Sequence, residues 1–353
     1  MTDLPRLRPA VAGLPQYVAG RKAAGTEIAP LASNESHFPP LPGVLAAITD
    51  AAPRVNRYPD MASTALRERI AHDAGVTPDA VAVGPGSVGV LAQLLAATCD
   101  AGDEVVFAWR SFEAYPILCE LAGAVGVRVP LVDERHDLPA MAAAVTERTQ
   151  VVLLCSPNNP TGTALEEAEL LEFLDRVPSR VVVVLDEAYR EFGAGAGVDG
   201  VALLSTFPNL CLLRTFSKAY GLAGLRVGYA IAHPLIAGGL RTTQIPFSVS
   251  SVAEAAALAA CDCADEVKAR AAAVAAERPR IETAVRALGW TAPEGAANFI
   301  WLRTDDDVRQ RLVDHFESAG IMVRGYPGDG VRITLADPAT NDRVVAALAG
   351  FAR

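Results

Sequence analysis

The first two thirds of the chain alternate between short apolar runs and longer segments rich in alanine and leucine. Helix-length segments such as EEAELLEFLDRV at 166–177 separate most of the runs. This alternation predicts an α/β fold with a mainly parallel, seven-stranded sheet that is sandwiched by helices. The seven runs are VAV at 81, EVVF at 104, VRVPLV at 127, VVLLC at 151, VVVVL at 181, LCLLR at 210 and RVGYAIA at 226.

The pattern changes after about residue 240. A long, alanine-rich amphipathic stretch predicts one or two helices that end at Gly289, and three short strand-like pieces follow it: NFIWLR, GIMVRGY and GVRITLA. We therefore expect a large domain over 31–244 and a smaller α+β domain over 245–353. The first 30 residues, rich in proline and glycine, predict an arm that packs on the small domain.

Composition narrows the class of protein. Of the 353 residues, 51% are hydrophobic and 20% are charged, which suits a sizeable core in two domains. The formal net charge of −10 argues against a nucleic-acid groove or an anionic membrane surface as partner. The cysteines form no C-x-x-C pair, the histidines have no metal-ligand spacing, and no signal peptide or membrane span is evident. These features predict a soluble, metal-free protein of the cytoplasm.

A glycine-rich turn follows the first run. Gly84, Gly86 and Gly89 have the G-x-G-x-x-G spacing of a dinucleotide-binding loop. A nicotinamide enzyme, however, usually has an acidic residue at the end of its second strand, whereas here Asp103 and Glu104 precede that run. A P-loop NTPase is also excluded, because no Lys-Ser/Thr pair follows the last glycine. The turn therefore needs another anionic ligand.

Three of the runs lead into polar segments, which contain Asn159, Asp186 and Lys218. Ligands of parallel sheets bind beyond the carboxyl ends of the strands, so these residues are candidates for one site. Asp186 ends a run of valine and leucine, where a carboxylate is costly without a cationic partner. A protonated pyridine nitrogen would be such a partner. Pyridoxal phosphate needs a lysine, a carboxylate at its ring nitrogen and donors for its phosphate, and this set suits it.

Five motifs, SPNNPTG, DEAY, SKAYGLAGLRVGY, NRYPD and GVRIT, occur together in the chain. In this combination the sequence resembles the fold-type I aminotransferases, specifically the branch of histidinol-phosphate and aromatic amino acid aminotransferases. The resemblance runs from about Leu14 to Thr334. It implies pyridoxal phosphate as cofactor, amino acids and 2-oxo acids as substrates, and a homodimer with shared active sites.

The resemblance also implies roles for individual residues around the cofactor ring. Lys218 is similar to the Schiff-base lysine, which moves the proton at the substrate α-carbon. Asp186 matches the partner of the pyridine nitrogen. Asn159 and Tyr189 match hydrogen-bonding partners of the phenolic oxygen, and Phe112 matches the aromatic residue that stacks on the ring.

The glycine-rich turn then becomes a site for the single phosphate, at the start of a helix predicted from about Val88. Backbone amides and the helix dipole favour an anion there, and an arginine adds charge-assisted hydrogen bonds. The residues matched to the phosphate site are Gly86, Ser87, Val88, Ser217 and Arg226, together with Tyr58 from the neighbouring subunit.

Four further residues match the substrate site. Arg332 in GVRIT resembles the arginine that binds the substrate carboxylate by two parallel hydrogen bonds. Arg324 matches a second anion-binding arginine of the histidinol-phosphate branch. Tyr17 and Asn34 lie where the N-terminal segment of the family closes over the substrate.

Two departures bear on the substrate. Val88–Gly89 replaces the acidic pair that is usual in the histidinol-phosphate branch, and WRSF at 109–112 stands where Pro-Thr-Tyr is common. Both favour the aromatic amino acid subgroup. We therefore expect ping-pong transfer of an amino group between an aromatic L-amino acid and a 2-oxo acid such as 2-oxoglutarate. Histidinol-phosphate aminotransferase is the main alternative; a β-lyase, a decarboxylase, a non-catalytic binding protein and a nicotinamide dehydrogenase are the others.

Overall fold

A large sheet forms the centre of the protein. The computed structural model describes residues 8, 11, 13–14, 28–193 and 198–352. The strands are β1 Ala29–Pro30, β2 Val81–Gly84, β3 Glu104–Trp109, β4 Val125–Pro130, β5 Thr149–Cys155, β6 Val182–Asp186, β7 Leu210–Thr215, β8 Gly228–Ala232, β9 Phe299–Arg303, β10 Ile321–Met322, β11 Arg324–Tyr326 and β12 Gly330–Thr334.

Seven of these strands form the large sheet, in the order β2-β8-β7-β6-β5-β3-β4. The strands from β4 to β7 pair in parallel, and β8 runs antiparallel to both of its neighbours. The predicted α/β fold with a mainly parallel seven-stranded sheet is therefore confirmed. Because parallel neighbours end at the same edge, the residues that follow β5 and β6 lie side by side.

Helices cover both faces of this sheet. Their bounds are α1 Pro42–Ala51, α2 Thr64–Ala74, α3 Gly86–Thr98, α4 Ala114–Ala122, α5 Leu138–Ala143, α6 Glu167–Arg176, α7 Gly200–Leu203, α8 Pro234–Thr242, α9 Ser251–Asp262, α10 Ala264–Ala287, α11 Asp306–Ser318 and α12 Pro338–Ala349, with short 3-10 helices at Ala52–Arg54, Pro78–Ala80, Arg190–Phe192 and Ala223–Leu225.

The central strands are apolar on both sides because each side meets its own layer of helices. Val151 and Leu153 of β5 pack in one core cluster with Leu94 of α3. On the opposite face of the same strand, Val152 packs in a second cluster with Phe173 of α6. Side chains alternate along a strand, so an uninterrupted apolar run is what a sheet covered on both faces requires.

The C-terminal part carries a smaller antiparallel sheet in the order β11-β12-β9. The alanine-rich stretch forms two helices, α9 and α10, and GIMVRGY divides into two short strands, β10 and β11. The strand β1 pairs in parallel with β10, so residues 29–30 lie against this part of the chain. The division at 31–244 and 245–353, and the packing of the arm, stay predictions, since most of the first 30 residues lie outside the described part.

None of the helices in the described part has the length and apolar character needed to cross a bilayer. Among the same residues, no cluster of three or more histidine, cysteine, aspartate or glutamate side chains is arranged to hold a metal ion.

Candidate active site

Three predicted site residues lie at the carboxyl edge of the large sheet. Asp186 is the last residue of β6 and lies beside Cys155, the last residue of β5, in the parallel register. Asn159 follows β5 in the SPNNPTG loop, and Lys218 is the third residue after β7. The topology thus places a carboxylate, an amide and an amine at neighbouring strand ends.

Asp186 is a buried carboxylate that lacks an ion-pair partner among the described residues. It is 5% exposed, accepts a hydrogen bond of 2.7 Å from the Tyr115 hydroxyl and another of 3.2 Å from the Ala188 amide. Burial raises the pKa of Asp186 to about 6, against the two hydrogen bonds, which lower it. The site therefore holds an acceptor suited to a cation that the described residues do not provide.

Tyr115 is a site residue that the sequence analysis missed. It lies in the first turn of α4, is 1% exposed, and its ring makes an edge contact of 5.6 Å between centroids with Phe112. Its apolar surroundings in FEAYPIL are typical of a core tyrosine. Only its contact with Asp186, which is 71 positions away in the chain, distinguishes it.

Lys218 is a half-buried amine with a depressed pKa. Its Nζ donates a hydrogen bond of 2.9 Å to the carbonyl oxygen of Ser33 and lies 5.7 Å from the centre of the Tyr189 ring. Burial, followed by the positive charge of Arg332, lowers the pKa of Lys218 to about 7. A substantial fraction of this lysine is therefore neutral near pH 7, as a nucleophilic amine requires.

Asn34 and Tyr189 connect the lysine to the smaller sheet. The Asn34 Nδ2 donates to the Tyr189 hydroxyl at 2.9 Å, and the Asn34 Oδ1 accepts from Thr334 of β12 at 3.1 Å. Asn34 is fully buried at a φ of 55°, a region that asparagine adopts more readily than most residues. Burial raises the pKa of Tyr189, so this phenol stays protonated at neutral pH.

Arg332 of β12 points its guanidinium at the same place. It is 6% exposed and donates at 2.5 Å to the Asn159 side-chain oxygen and at 2.6 Å to the carbonyl oxygen of Ala32. Its Nε is buried and makes no hydrogen bond within the described residues. Since both acceptors are neutral, the positive charge of Arg332 has no counterion there and can bind a carboxylate.

The turn between β2 and α3 forms a narrow cradle. Gly86 has a φ of 77°, and a Cβ at this position would collide with the guanidinium of Arg226. Arg226 donates to the Ser217 hydroxyl at 3.3 Å and to the Ala223 carbonyl at 2.9 Å. No side chain caps α3, which begins at Gly86 and so includes Ser87 and Val88 in its first turn. The predicted start at about Val88 is thus two residues late.

The remaining candidates differ in their positions. Phe112 contacts Tyr115 as described above, and Arg324 forms an ion pair with Glu113 at 2.9 Å. Tyr58 is 82% exposed and stacks on Phe247, with ring centroids 4.5 Å apart. Tyr17 lies outside the described residues.

These residues fit pyridoxal phosphate. The buried Asp186 has no cationic partner in the part of the chain that the structure describes, the neutral fraction of Lys218 suits imine formation, and the Gly86 turn leaves room where a Cβ would collide with Arg226. A helix start together with an arginine is also a suitable site for a phosphate.

Comparison with known proteins agrees with this fit. A model of the family described as "Aminotransferase class I and II" matches residues 26–348. The chain belongs to this class of aminotransferases. The resemblance inferred from the five motifs is therefore confirmed.

Relatives of this aminotransferase have been named after their substrates. The aromatic amino acid aminotransferases of Streptomyces coelicolor and Thermobifida fusca are both 52% identical to it, over 342 and 341 residues. Each alignment covers 96% of this chain and 95% of the relative.

Solved structures share its fold. The histidinol-phosphate aminotransferase of Sinorhizobium meliloti, in complex with pyridoxal-5'-phosphate, superposes with a TM-score of 0.89 at 32% identity, covering 99% of this aminotransferase and 98% of that chain. A variant of the Thermus thermophilus aspartate aminotransferase superposes with a TM-score of 0.82 at 23% identity, over 98% and 99% of the two chains, which supports the fold alone.

Proposed function

We propose that this aminotransferase moves the amino group between an aromatic L-amino acid and a 2-oxo acid such as 2-oxoglutarate, with pyridoxal phosphate as its cofactor. The observation that carries the proposal is the half-buried Lys218, with its lowered pKa, at the end of the strand next to that of Asp186, a buried carboxylate without an ion-pair partner among the described residues. Relatives at 52% identity that are named aromatic amino acid aminotransferases favour this substrate over histidinol phosphate.

Pyridoxal phosphate supplies, when bound, an aldehyde that condenses with amines and a cationic ring that withdraws electrons from the substrate α-carbon. We assign two tasks to Lys218: it attaches the cofactor covalently, and it takes and returns the proton of the substrate α-carbon. Both tasks need a neutral amine at neutral pH, which burial and the charge of Arg332 provide.

Asp186 would hold the ring nitrogen in its protonated form through a charge-assisted hydrogen bond. The Tyr115 hydroxyl donates at 2.7 Å to one carboxylate oxygen. The other oxygen, which also accepts from the Ala188 amide, is left for the ring nitrogen. A buried ion pair of this type is strong because little water competes for it.

The other proposed roles follow from position. Asn159 and Tyr189 would contact the phenolic oxygen, and Phe112 would stack on the ring. Gly86, Ser87, Val88, Ser217 and Arg226 would hold the phosphate. Arg332 would bind the substrate carboxylate and so orient the α-carbon toward Lys218, with Asn34 as a further contact.

We also propose a homodimer. Tyr58 and Phe247 form an exposed aromatic pair, and three more apolar side chains of the segments 55–61 and 245–247 are exposed: Val55 at 66%, Met61 at 44% and Ile245 at 71%. Apolar residues exposed in such numbers are typical of an interface, through which Tyr58 would reach the partner's phosphate site. Light scattering on the purified protein tests this, and a monomer at micromolar concentration would contradict it.

We propose a cytoplasmic location from the state of the cysteines. All six are free, and four of them are buried. Reduced thiols suit a reducing compartment. Fractionation of cells that express the protein tests the location.

A substrate panel with purified protein tests the function. Phenylalanine, tyrosine and histidinol phosphate are offered as amino donors with 2-oxoglutarate as acceptor. The proposal expects turnover of the aromatic donors above histidinol phosphate and parallel double-reciprocal lines, as ping-pong kinetics require. Intersecting lines, or release of ammonia or carbon dioxide in place of transfer, would contradict it.

A further inference from the structure

Three arginine side chains surround one tyrosine ring at the substrate side of the site. The guanidinium carbons of Arg110, Arg324 and Arg332 lie 5.6, 5.8 and 5.6 Å from the centre of the Tyr326 ring. Arg324 of β11 and Arg332 of β12 are direct partners in the antiparallel ladder, so their side chains leave the same face of the sheet. The arginines are thus close neighbours, and their charges repel unless anions offset them.

Two of the three have a carboxylate partner. The Arg110 Nε donates to the Asp329 carboxylate at 2.6 Å, and the Arg324 Nη2 lies 2.9 Å from the Glu113 Oε2. The Arg324–Glu113 pair is shielded, with 15% and 25% of the two side chains exposed. Arg332 is bonded only to the neutral oxygens of Asn159 and Ala32 among the described residues. One positive charge of the group is therefore left for a ligand.

Glu113 lies where it can influence the ligand. It follows Phe112, which we assign to the face of the cofactor ring, and it precedes α4, which carries Tyr115. Its ion pair joins positions 211 residues apart, which connects the loop after β3 to the strand opposite Arg332. The pair therefore lies next to Arg332, the residue that we assign to the substrate carboxylate.

We infer that Glu113 determines which substrate side chains the site accepts, by neutralising Arg324. A substrate whose only anionic group is its α-carboxylate needs only Arg332 as its cationic partner. A second anion, either a distal carboxylate or a phosphate, has to compete with Glu113 for Arg324. The pair thus favours aromatic side chains over anionic ones, and 2-oxoglutarate is accepted at a cost in affinity. The inference rests on the proposed function, because it assumes that Arg332 binds the substrate carboxylate.

The test compares the binding of two unreactive substrate analogues, which carry carboxylates but no amino or oxo group. Glutarate carries two anionic groups and 3-phenylpropionate carries one. Their dissociation constants are measured calorimetrically on the cofactor-loaded wild type, Glu113→Gln and Glu113→Asp. In Glu113→Gln the Arg324 guanidinium loses the negative charge of this partner, so the affinity for glutarate relative to 3-phenylpropionate should rise about tenfold. Glu113→Asp keeps the charge and should restore most of the wild-type ratio.

Glu120→Gln is the matched control, since it removes an exposed glutamate from α4 and should leave the ratio unchanged. The same ratio is then measured as the KM for 2-oxoglutarate against that for phenylpyruvate. Glutarate binding that does not change relative to 3-phenylpropionate in Glu113→Gln overturns the inference. Wild-type enzyme that fails to transaminate phenylalanine overturns the proposed function instead, and the binding ratio still reports on Glu113.

Discussion

Replacement of Tyr115 by phenylalanine tests how the site keeps Asp186 ionised. The substitution removes the hydroxyl that donates at 2.7 Å to the carboxylate, and it leaves the ring in place against Phe107 and Phe112. A hydrogen bond to a charged group contributes about 1.5–3 kcal/mol, and one pKa unit corresponds to about 1.36 kcal/mol. The pKa of Asp186, about 6 in the wild type, should therefore rise by roughly one to two units.

The consequence is a loss of cofactor affinity that depends on pH. At pH 7 the ionised fraction of Asp186 is roughly 0.9 in the wild type and should fall to between roughly 0.5 and 0.1 in the variant. Only the ionised carboxylate pairs with a protonated ring nitrogen, so affinity for pyridoxal phosphate should fall roughly twofold to tenfold at pH 7. The two proteins should converge at pH 9, where both carboxylates are ionised.

Fluorescence titration of the cofactor-free protein with pyridoxal phosphate from pH 6 to pH 9 measures this effect. Tyr229→Phe is the control, because it removes another buried tyrosine hydroxyl, which bonds to Arg214 and not to Asp186. Equal affinities of wild type and Tyr115→Phe at pH 6–7 would refute the reasoning. A loss of the same size at every pH would also refute it, since that result indicates a packing defect.

Three further predictions concern the turn, the carboxylate and the lysine. Gly86→Ala should weaken cofactor binding, because the added Cβ collides with Arg226. Gly75→Ala is the control: Gly75 has a φ of 68° and open space around it, so this variant should lose stability and keep its cofactor affinity. Equal cofactor affinities in the two variants would contradict this. The folded-state pKa of Asp186 is raised from 3.8 to about 6, so the folded protein holds the proton more tightly, and cofactor-free wild type should lose about 2.4 kcal/mol of unfolding free energy between pH 4 and pH 7 relative to Asp186→Asn. Denaturant unfolding measures that difference, and parallel pH profiles would exclude it. The rate of cofactor attachment, followed by absorbance, should rise through pH 7 as Lys218 loses its proton and level off above pH 8. A rate that is constant from pH 6 to pH 8 would show that the pKa of the amine is not lowered.

Much of the fold followed from local pattern. Six of the seven strands of the large sheet, all but the edge strand β4, are buried along their length and coincide with an apolar run, because a strand covered on both faces has no polar side to interrupt the run. The positions of Asp186 and Lys218 were also predictable, since polar residues at the end of such runs or shortly after it lie at the carboxyl edge of the sheet.

The contacts that tune the site were not predictable in this way. Tyr115 and Asp186 are 71 positions apart, and Glu113 and Arg324 are 211 apart. The local sequence around a buried tyrosine, or around a glutamate that precedes a helix, does not show whether the residue stabilises the fold or sets the charge of a site. Only the packing of α4 against the sheet edge reveals their partners.

Borohydride reduction of the cofactor-loaded protein tests the central claim most directly. The sequence contains lysine at positions 22, 218 and 268 only, so peptide mapping by mass spectrometry separates the possible sites of attachment. We predict that the pyridoxyl group is found on Lys218 and that Lys268→Arg, which replaces an exposed lysine, is labelled as fully as the wild type. Labelling of another lysine, or of none, would contradict the account.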